Sequence, residues 1–198
     1  MYRRNAVFYN LVDRPLRRVR EQAIAKLSLR RGDAVLDLGC GTGLSFPIIE
    51  RCVGPAGSLT GIDVSPHMLL RARRRVARAG WTNLTLIEAS AEEIDLPESS
   101  FDAVLCFYTH DIMQSQRALQ RAVAALHPGG CIVAAGVKET RRPGSFLLNA
   151  LTKAYSGQAV RSLAGFGRPW ARLEEAIGAV EVEERLLGTG YIARGVKA

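Results

Sequence analysis

The stretch VLDLGCGTGLS, residues 35–45, constrains the fold of this chain more than any other segment. A short apolar run leads into three glycines spaced two apart, at Gly39, Gly41 and Gly43. Glycine allows positive φ and lets a ligand approach the backbone closely. The pattern predicts a buried strand, a tight turn and a following helix, as in nucleotide-binding α/β domains.

Strand and helix patterns alternate along the rest of the chain. We expect a first helix that begins at Pro15, where proline suits the first turn, and a later helix from Gln114 to Leu126. HPGG should then turn the chain into a strand CIVAAGV, and VEVEERLLGTGYIARGVK predicts an antiparallel hairpin. These elements predict an α/β fold: a Rossmann-like doubly wound sheet of about seven strands, mostly parallel with an antiparallel C-terminal hairpin.

The size of the chain favours a single domain over residues 1–198, since 198 residues that are 47% hydrophobic can bury one core. We expect residues 1–30 to form an N-terminal basic helical cap and residues 138–170 a substrate-lid insertion. MYRRNAVFYN lacks the apolar core of a signal peptide, and no apolar run could span a membrane, which predicts a cytoplasmic protein. The wide spacing of the four cysteines favours reduced, buried thiols and no metal site.

The net charge of +8 is concentrated in two segments. Residues 1–31 carry nine arginines and lysines against two acids, and LLRARRRVARAG carries five arginines and no acid. Such patches attract phosphates on anionic lipid or nucleic acid, although they are also typical of solvated helix faces. We expect peripheral membrane contact through the basic N-terminus. Nucleic acid is disfavoured because no aromatic and basic RNA-binding module is present.

The ligand of the glycine turn can be narrowed by elimination. Leu44 stands where a dinucleotide-binding loop has its third glycine, and no Gly-Lys-Ser/Thr follows, as a phosphate-binding loop requires. Both of those loops hold phosphate at a helix N-terminus, where the carboxylate of Asp37 would repel it. S-adenosylmethionine is a nucleoside with a sulfonium, an ammonium and no phosphate, so an acid at this place would attract it.

Three segments carry a resemblance to a known family. VLDLGCGTG, GIDVSPHML and SAEEIDLPESSFD resemble motifs of the class I, Rossmann-like methyltransferases that use S-adenosylmethionine. The chain is similar in pattern to methyltransferases of quinone biosynthesis and to bacterial phospholipid and betaine-lipid methyltransferases. The resemblance covers about residues 7–137, with the hairpin in outline. It implies S-adenosylmethionine as cofactor and S-adenosylhomocysteine as product.

The resemblance also implies roles for individual residues. Asp63 would take both ribose hydroxyls, and Ser90 replaces the acid that reads adenine, so the Ala91 amide would carry more of that recognition. Tyr9 would close over the methionine end of the cofactor, although a packing role is equally compatible, and Met68 has the same two interpretations. The full set of expected cofactor-binding residues is Tyr9, Asp37, Gly39, Cys40, Gly41, Thr42, Gly43, Asp63, Val64, Met68, Ser90, Ala91, Glu92 and Phe107.

The segment after the predicted fourth strand, FYTHD, should face the transferred methyl group and the acceptor. Aromatic faces stabilise cations, and an imidazole can remove a proton near neutral pH. We therefore expect Tyr108 and His110 to be catalytic. The alternatives are that His110 caps a helix that starts near Asp111, or that an amine acceptor needs only alignment and no base.

The acceptor is inferred from the lid insertion, which mixes apolar and aromatic residues with basic ones. Its large apolar members are Phe146, Leu147, Leu148, Leu151, Tyr155, Leu163, Phe166 and Trp170. Such a lid favours methyl transfer to nitrogen or oxygen of a small or lipid-like acceptor. An RNA methyltransferase and a non-catalytic S-adenosylmethionine-binding protein are the alternative functions.

Overall fold

The computed structural model describes residues 6–140 and 165–198, with side chains described from Leu16 onward. The strands are β1 (Ala34–Leu38), β2 (Ser58–Asp63), β3 (Leu84–Glu88), β4 (Phe101–Phe107), β5 (Leu126–Val137), β6 (Val180–Arg185) and β7 (Gly190–Val196). The helices are α1 (Ala6–Lys26), α2 (Phe46–Val53), α3 (Pro66–Ala79), α4 (His110–Met113), α5 (Gln116–Ala125) and α6 (Ala171–Ile177), with a 3₁₀ turn at Leu186–Gly188. Most of the expected lid insertion, residues 141–164, lies outside the described residues.

The seven strands form one sheet in the order β3-β2-β1-β4-β5-β7-β6. The pairs from β3 across to β5 are parallel, whereas β7 runs antiparallel to both β5 and β6. This confirms the expected Rossmann-like sheet with its antiparallel C-terminal hairpin. The strand order reverses between β1 and β4, and in open α/β sheets ligands bind in the crevice at the carboxyl ends of such a pair.

The first helix packs one apolar face on the sheet, as the sequence pattern predicts. Val19, Ala23, Ile24 and Leu27 are buried, and α1 contacts β4, β5 and β7. The expected start at Pro15 is wrong, because α1 already begins at Ala6 and runs for 21 residues. Proline inside a helix removes one backbone donor and crowds the preceding turn, but here the helix continues through it. The residues before it include no glycine or second proline that would end the helix.

Helix α3 has a capping residue at each end. The Ser65 side chain accepts a hydrogen bond from the Met68 N–H at 3.4 Å, and Gly80 closes the helix at φ 69°. These are the usual serine N-cap and left-handed glycine C-cap. Leu69 and Ala72 face the core, so the helix turns its arginine-rich side outward.

The expected helix from Gln114 to Leu126 is α5, which spans Gln116–Ala125, and the short helix α4 precedes it. Ser115 is extended, and its Oγ accepts from the Ala118 N–H at 3.3 Å, so Ser115 caps a new helix. A serine in this conformation satisfies a free N–H at a helix start and interrupts the helix before it. The short helix α4 therefore stands apart and begins at His110.

The expected HPGG turn is instead the first part of β5. Leu126 pairs with Phe101, and the register shifts before Ala103 pairs with Cys131. The Gly129 N–H donates to the Lys197 carbonyl at 2.8 Å. Backbone groups of this segment therefore form hydrogen bonds across the sheet. The register shift accommodates the extra residues of β5, which the HPGG pattern had predicted to form a turn.

Two hydrophobic clusters cover the two faces of the sheet, one with α1, α2 and α3 and the other with α5 and α6. The four cysteines are free thiols, three of them buried and Cys52 half-buried. Burial raises the pKa of the Cys106 thiol to about 12, so this thiol is neutral at physiological pH. Among the described residues, no helix combines the length and hydropathy that a membrane-spanning segment needs.

Candidate functional site

The glycine turn follows β1 at the carboxyl edge of the sheet. Gly39, Gly41 and Gly43 all have positive φ, at 80°, 56° and 74°. A Cβ at Gly39 would overlap the Thr109 side chain, and one at Gly43 would overlap the Phe46 ring. No atom lies within 4 Å of the position that a Gly41 Cβ would take. The outer two glycines are thus required for packing, while Gly41 leaves open space beside the turn.

Backbone and side-chain hydrogen bonds fix the turn to the next strand. The Gly39 and Cys40 N–H groups donate to the Ile62 carbonyl at 2.8 and 2.9 Å. The Gly41 N–H donates to Asp63 Oδ2, and the Ser65 N–H donates to Asp63 Oδ1, both at 2.8 Å. Asp63 therefore holds the glycine turn and the start of α3 in one arrangement.

The outer side of the turn is tied to α3. Arg75 belongs to the arginine-rich helix α3, and its Nε donates to the Thr42 carbonyl at 3.1 Å. The turn is thus held by β2, by Asp63 and by α3, which limits its freedom to move.

Asp37 is the buried acid of the site. It lies in β1 between Gly61 of β2 and Leu105 of β4, and its exposed fraction is 1%. Its Oδ2 has no hydrogen-bond partner among residues 6–140 and 165–198. Burial raises its pKa to about 7, with the charge of Arg20 opposing the rise and that of Asp63 adding to it.

A buried arginine also reaches this end of the sheet. Arg20 on α1 is 9% exposed, and its guanidinium carbon lies 4.7 Å from the centroid of the Phe107 ring. Phe107 is the last residue of β4. Arg20 is not among the site residues that the sequence predicts. A signal was present, because Arg20 lies among the core-facing residues Val19, Ala23 and Ile24 of an amphipathic helix.

The residues after β4 bring aromatic rings together. The Phe107 and Tyr108 ring centroids are 4.8 Å apart. Tyr108 has φ +59°, which is strained for a bulky side chain, and its N–H donates to the Ala135 carbonyl at 2.7 Å. Strained backbone of this kind occurs often at functional sites.

His110 is the first residue of α4, and its exposed fraction is 8%. Thr109 occupies the N-cap position of this helix. Its ring meets the Phe166 ring edge to face, with 5.1 Å between centroids. The Phe166 carbonyl accepts from the Glu139 N–H at 3.0 Å, so the two described ends of the lid insertion meet beside His110.

The residues expected on the adenine side surround the carboxyl end of β2. Val64 is 64% exposed, and the Ala89 N–H donates to the Asp63 carbonyl at 3.2 Å. The Ser90 hydroxyl accepts from the Glu92 N–H at 3.3 Å, and Ala91 packs against the core. The structure therefore brings the glycine turn, Asp63 and the start of the 89–94 segment together. The Tyr9 side chain lies outside the described residues.

The fold and this site define a class. A glycine turn after β1, an acid at the end of β2 and β7 antiparallel within a seven-stranded sheet are features of class I, Rossmann-like methyltransferases that depend on S-adenosylmethionine. In agreement, residues 35–130 match the family of methyltransferase domains.

Curated relatives of this chain are named as methyltransferases. It is 30% identical over 126 residues to demethylmenaquinone methyltransferase of Listeria monocytogenes, which covers 63% of this chain and 53% of the relative. It is 31% identical over 150 residues to a ubiquinone/menaquinone biosynthesis C-methyltransferase of Yersinia enterocolitica, with 75% and 57% covered. The aligned part thus spans little more than half the length of these relatives.

A solved structure agrees on the fold. A SAM dependent methyltransferase from Aquifex aeolicus superposes with a TM-score of 0.66 at 21% identity, covering 90% of this chain and 89% of the other. The superposition extends beyond residues 35–130 and includes most of the elements described above.

Proposed function

We propose that this chain is an S-adenosylmethionine-dependent methyltransferase that transfers a methyl group to nitrogen or oxygen of a small or lipid-like acceptor. The observation that carries the proposal is the buried Asp37 carboxyl group beside the glycine turn, with one oxygen that has no partner in the described part of the chain. A buried acid at this place suits a cationic ligand and disfavours a phosphate. S-adenosylmethionine, when bound, supplies an electrophilic methyl group.

The proposed cofactor-binding residues can contact a nucleoside while they keep the hydrogen bonds that they form in the structure. Each carboxylate oxygen has two lone pairs, so Asp63 can accept from ribose hydroxyls while it accepts from the Gly41 and Ser65 N–H groups. The open space at Gly41 lets a ligand approach the backbone. The Ala91 amide is the proposed adenine contact, since the Ser90 hydroxyl accepts from a neighbouring N–H.

The acceptor side is proposed to lie at the aromatic residues after β4. Phe107, Tyr108 and Phe166 provide ring surface that favours an apolar or aromatic acceptor. His110 adjoins this surface and is proposed to remove a proton from the acceptor. Burial of the histidine among rings limits access of water to that proton transfer.

A carbon acceptor is the second candidate, and the name of the Yersinia enterocolitica relative favours it. A deprotonated phenol is nucleophilic at its oxygen and at its ring carbons. The same proposed base, His110, would therefore serve O-methylation and C-methylation of a hydroxylated ring. Only the position of the acceptor relative to the methyl group would differ.

The test is transfer of label from methyl-labelled S-adenosylmethionine to a panel of acceptors. The panel contains a demethylated quinone in its reduced hydroquinone form, phosphatidylethanolamine vesicles and transfer RNA. We expect label in the quinone or the lipid, and mass spectrometry of the product gives the atom. Label in RNA alone would replace this proposal by the RNA alternative. Binding of S-adenosylhomocysteine without transfer to any fraction of a cell extract would favour the non-catalytic alternative.

A further inference from the structure

A surface pocket lies at the amino edge of the sheet, where the parallel strands begin. Helix α2 forms one wall, and the segments that lead into β2 and β3 form the other. Its volume is about 260 Å³, slightly below the range for drug-sized ligands, so it suits a smaller molecule. The glycine turn, Asp63 and His110 follow strand ends at the opposite edge. The pocket is therefore separate from the candidate methyl-transfer site.

Glu50 of α2 is a buried acid in this pocket. Its exposed fraction is 8%, and its Oε1 has no hydrogen-bond partner in the part of the chain that the structure describes. Burial raises the pKa of this carboxyl group, and the neighbouring Asn83 side chain opposes the rise. Asn83 does not satisfy Oε1, because its Nδ2 donates to the Gly54 and Gly57 carbonyls at 3.1 and 3.0 Å and so uses both hydrogens. A buried carboxyl oxygen without a partner is costly, which indicates a partner from outside the chain.

Ring surfaces form much of the remaining lining. Trp81, Pro47 and Pro55 border the pocket, and Trp81 also packs against the hydrophobic core, which holds its ring in place. The face of an indole attracts a cation. Arg51 borders the pocket as well, but it is exposed, so water and salt screen its charge. The pocket thus combines one buried acid with an aromatic ring and two prolines.

We propose that this pocket binds a small organic ammonium ion, with an N–H group on Glu50 Oε1 and the apolar part of the molecule against Trp81 and the two prolines. An ammonium supplies both the positive charge and the hydrogen-bond donor that a buried carboxylate lacks. A neutral molecule of the same shape supplies no charge, and the acid repels an anion. This second ligand site does not depend on the proposed function.

The experiment titrates the full, nitrogen-labelled chain with three probes of similar shape and follows the tryptophan indole signals by nuclear magnetic resonance. The probes are phenethylammonium, phenethyl alcohol and phenylacetate. The chain has two tryptophans, and Trp170 lies outside the pocket against the Tyr191 ring, so its signal is an internal reference. We expect phenethylammonium to shift the Trp81 signal and to bind at least about tenfold more tightly than the alcohol, because a hydrogen bond between charged groups is strong. Phenylacetate should leave the Trp81 signal unchanged.

Two variants test the part of the acid. Glu50→Gln keeps the shape of the side chain and removes its charge, so it should reduce the preference for the ammonium over the alcohol to about one. Glu98→Gln, at an exposed acid outside the pocket, is the matched control and should keep the full preference.

The comparison of the probes on the unmodified protein decides the proposal even if Glu50→Gln does not fold. Equal affinity for the ammonium and the alcohol would overturn it, as would an unchanged preference in a folded Glu50→Gln protein. A Trp81 signal that no probe shifts would also overturn it, and would mean that water alone satisfies Glu50. None of these measurements uses methyl transfer, so their outcome is independent of whether the proposed function holds.

Discussion

The Asp37 carboxyl group gives the protein a defined pH dependence. Burial raises its pKa from 3.8 to about 7, so between these values the folded state keeps a proton that the unfolded state releases. The free energy of unfolding should therefore fall as pH rises from about 4 to about 7 and then level off. The loss attributable to this group is on the order of a few kcal/mol.

Urea denaturation at pH 5 and pH 8 measures this effect. Asp37→Asn keeps the shape of the side chain and removes its titration, so the variant should lose less stability between the two pH values than the unmodified protein. Parallel pH dependences for the two proteins would contradict the expected ionisation of Asp37.

Asp63 should contribute to cofactor binding in two ways. It accepts from the Gly41 N–H and the Ser65 N–H, and it is the proposed partner of the ribose hydroxyls. Asp63→Ala should weaken binding of S-adenosylmethionine by about 1.5 to 3 kcal/mol, or roughly 10- to 150-fold. Calorimetry measures this, with the exposed Asp95→Ala as control. Unchanged affinity in a folded Asp63→Ala protein would remove the proposed role.

Some site residues could be found from sequence and others could not, for a physical reason. The glycines, Asp37 and Asp63 follow directly from strand ends, because a strand that stops at a glycine turn places its last residues at the sheet edge. Arg20 reads as one arginine in a basic segment, although its neighbours face the core. Its burial and its contact with Phe107, which is 87 positions away in the chain, distinguish it from the exposed arginines beside it.

The segment from Phe107 to His110 combines aromatic rings, a strained tyrosine and a buried histidine. If His110 is a general base, His110→Ala should lower kcat by about 10²- to 10⁴-fold and change the affinity for cofactor much less. His127→Ala, at the opposite end of the sheet, is the matched control and should leave turnover unchanged.

Tyr108→Phe tests the phenol apart from the ring. Loss of a hydrogen bond from the phenol to the acceptor should cost about 1 kcal/mol in kcat/KM, whereas stabilisation of a cation by the ring should persist. Full turnover in both the Tyr108 and the His110 variants would contradict the catalytic assignment.

Element boundaries were predictable where a local contact sets them. Ser65 and Gly80 bound α3 because a serine cap and a left-handed glycine satisfy their own neighbours. Ser115 caps α5 in the same way, close to the expected start of that helix at Gln114. The start of β5 was not local at all, because Leu126 pairs with Phe101 across the sheet and this pairing draws HPGG into the strand.

The order of the strands brings distant residues to one edge of the molecule. The reversal between β1 and β4 sets Asp37 beside β4, and α1 and the end of the lid insertion approach Phe107 and His110 from elsewhere in the chain. The alternation of strand and helix patterns predicted the class of sheet. It could not place β7 between β5 and β6, since this depends on long-range pairing and not on local pattern.

The basic surface of the whole molecule predicts salt-dependent contact with anionic membranes. The net charge is +8, and Arg17 and Arg18 of α1 are exposed. Each basic residue near an anionic surface contributes about 1 kcal/mol, and salt screens the attraction. The full chain should therefore sediment with vesicles of anionic lipid at low salt and be released at high salt.

Charge reversal at Arg17 and Arg18 should weaken this sedimentation, while reversal of two exposed arginines elsewhere, Arg117 on α5 and Arg172 on α6, serves as the matched control. An equal effect of both changes would mean that net charge alone attracts the protein and that the N-terminal segment has no special part. Absence of sedimentation at low salt would leave the segment only the role of covering the cofactor. Deletion of residues 1–14 should then still raise the KM for S-adenosylmethionine, because α1 carries Arg20 to the site and loses its first turns.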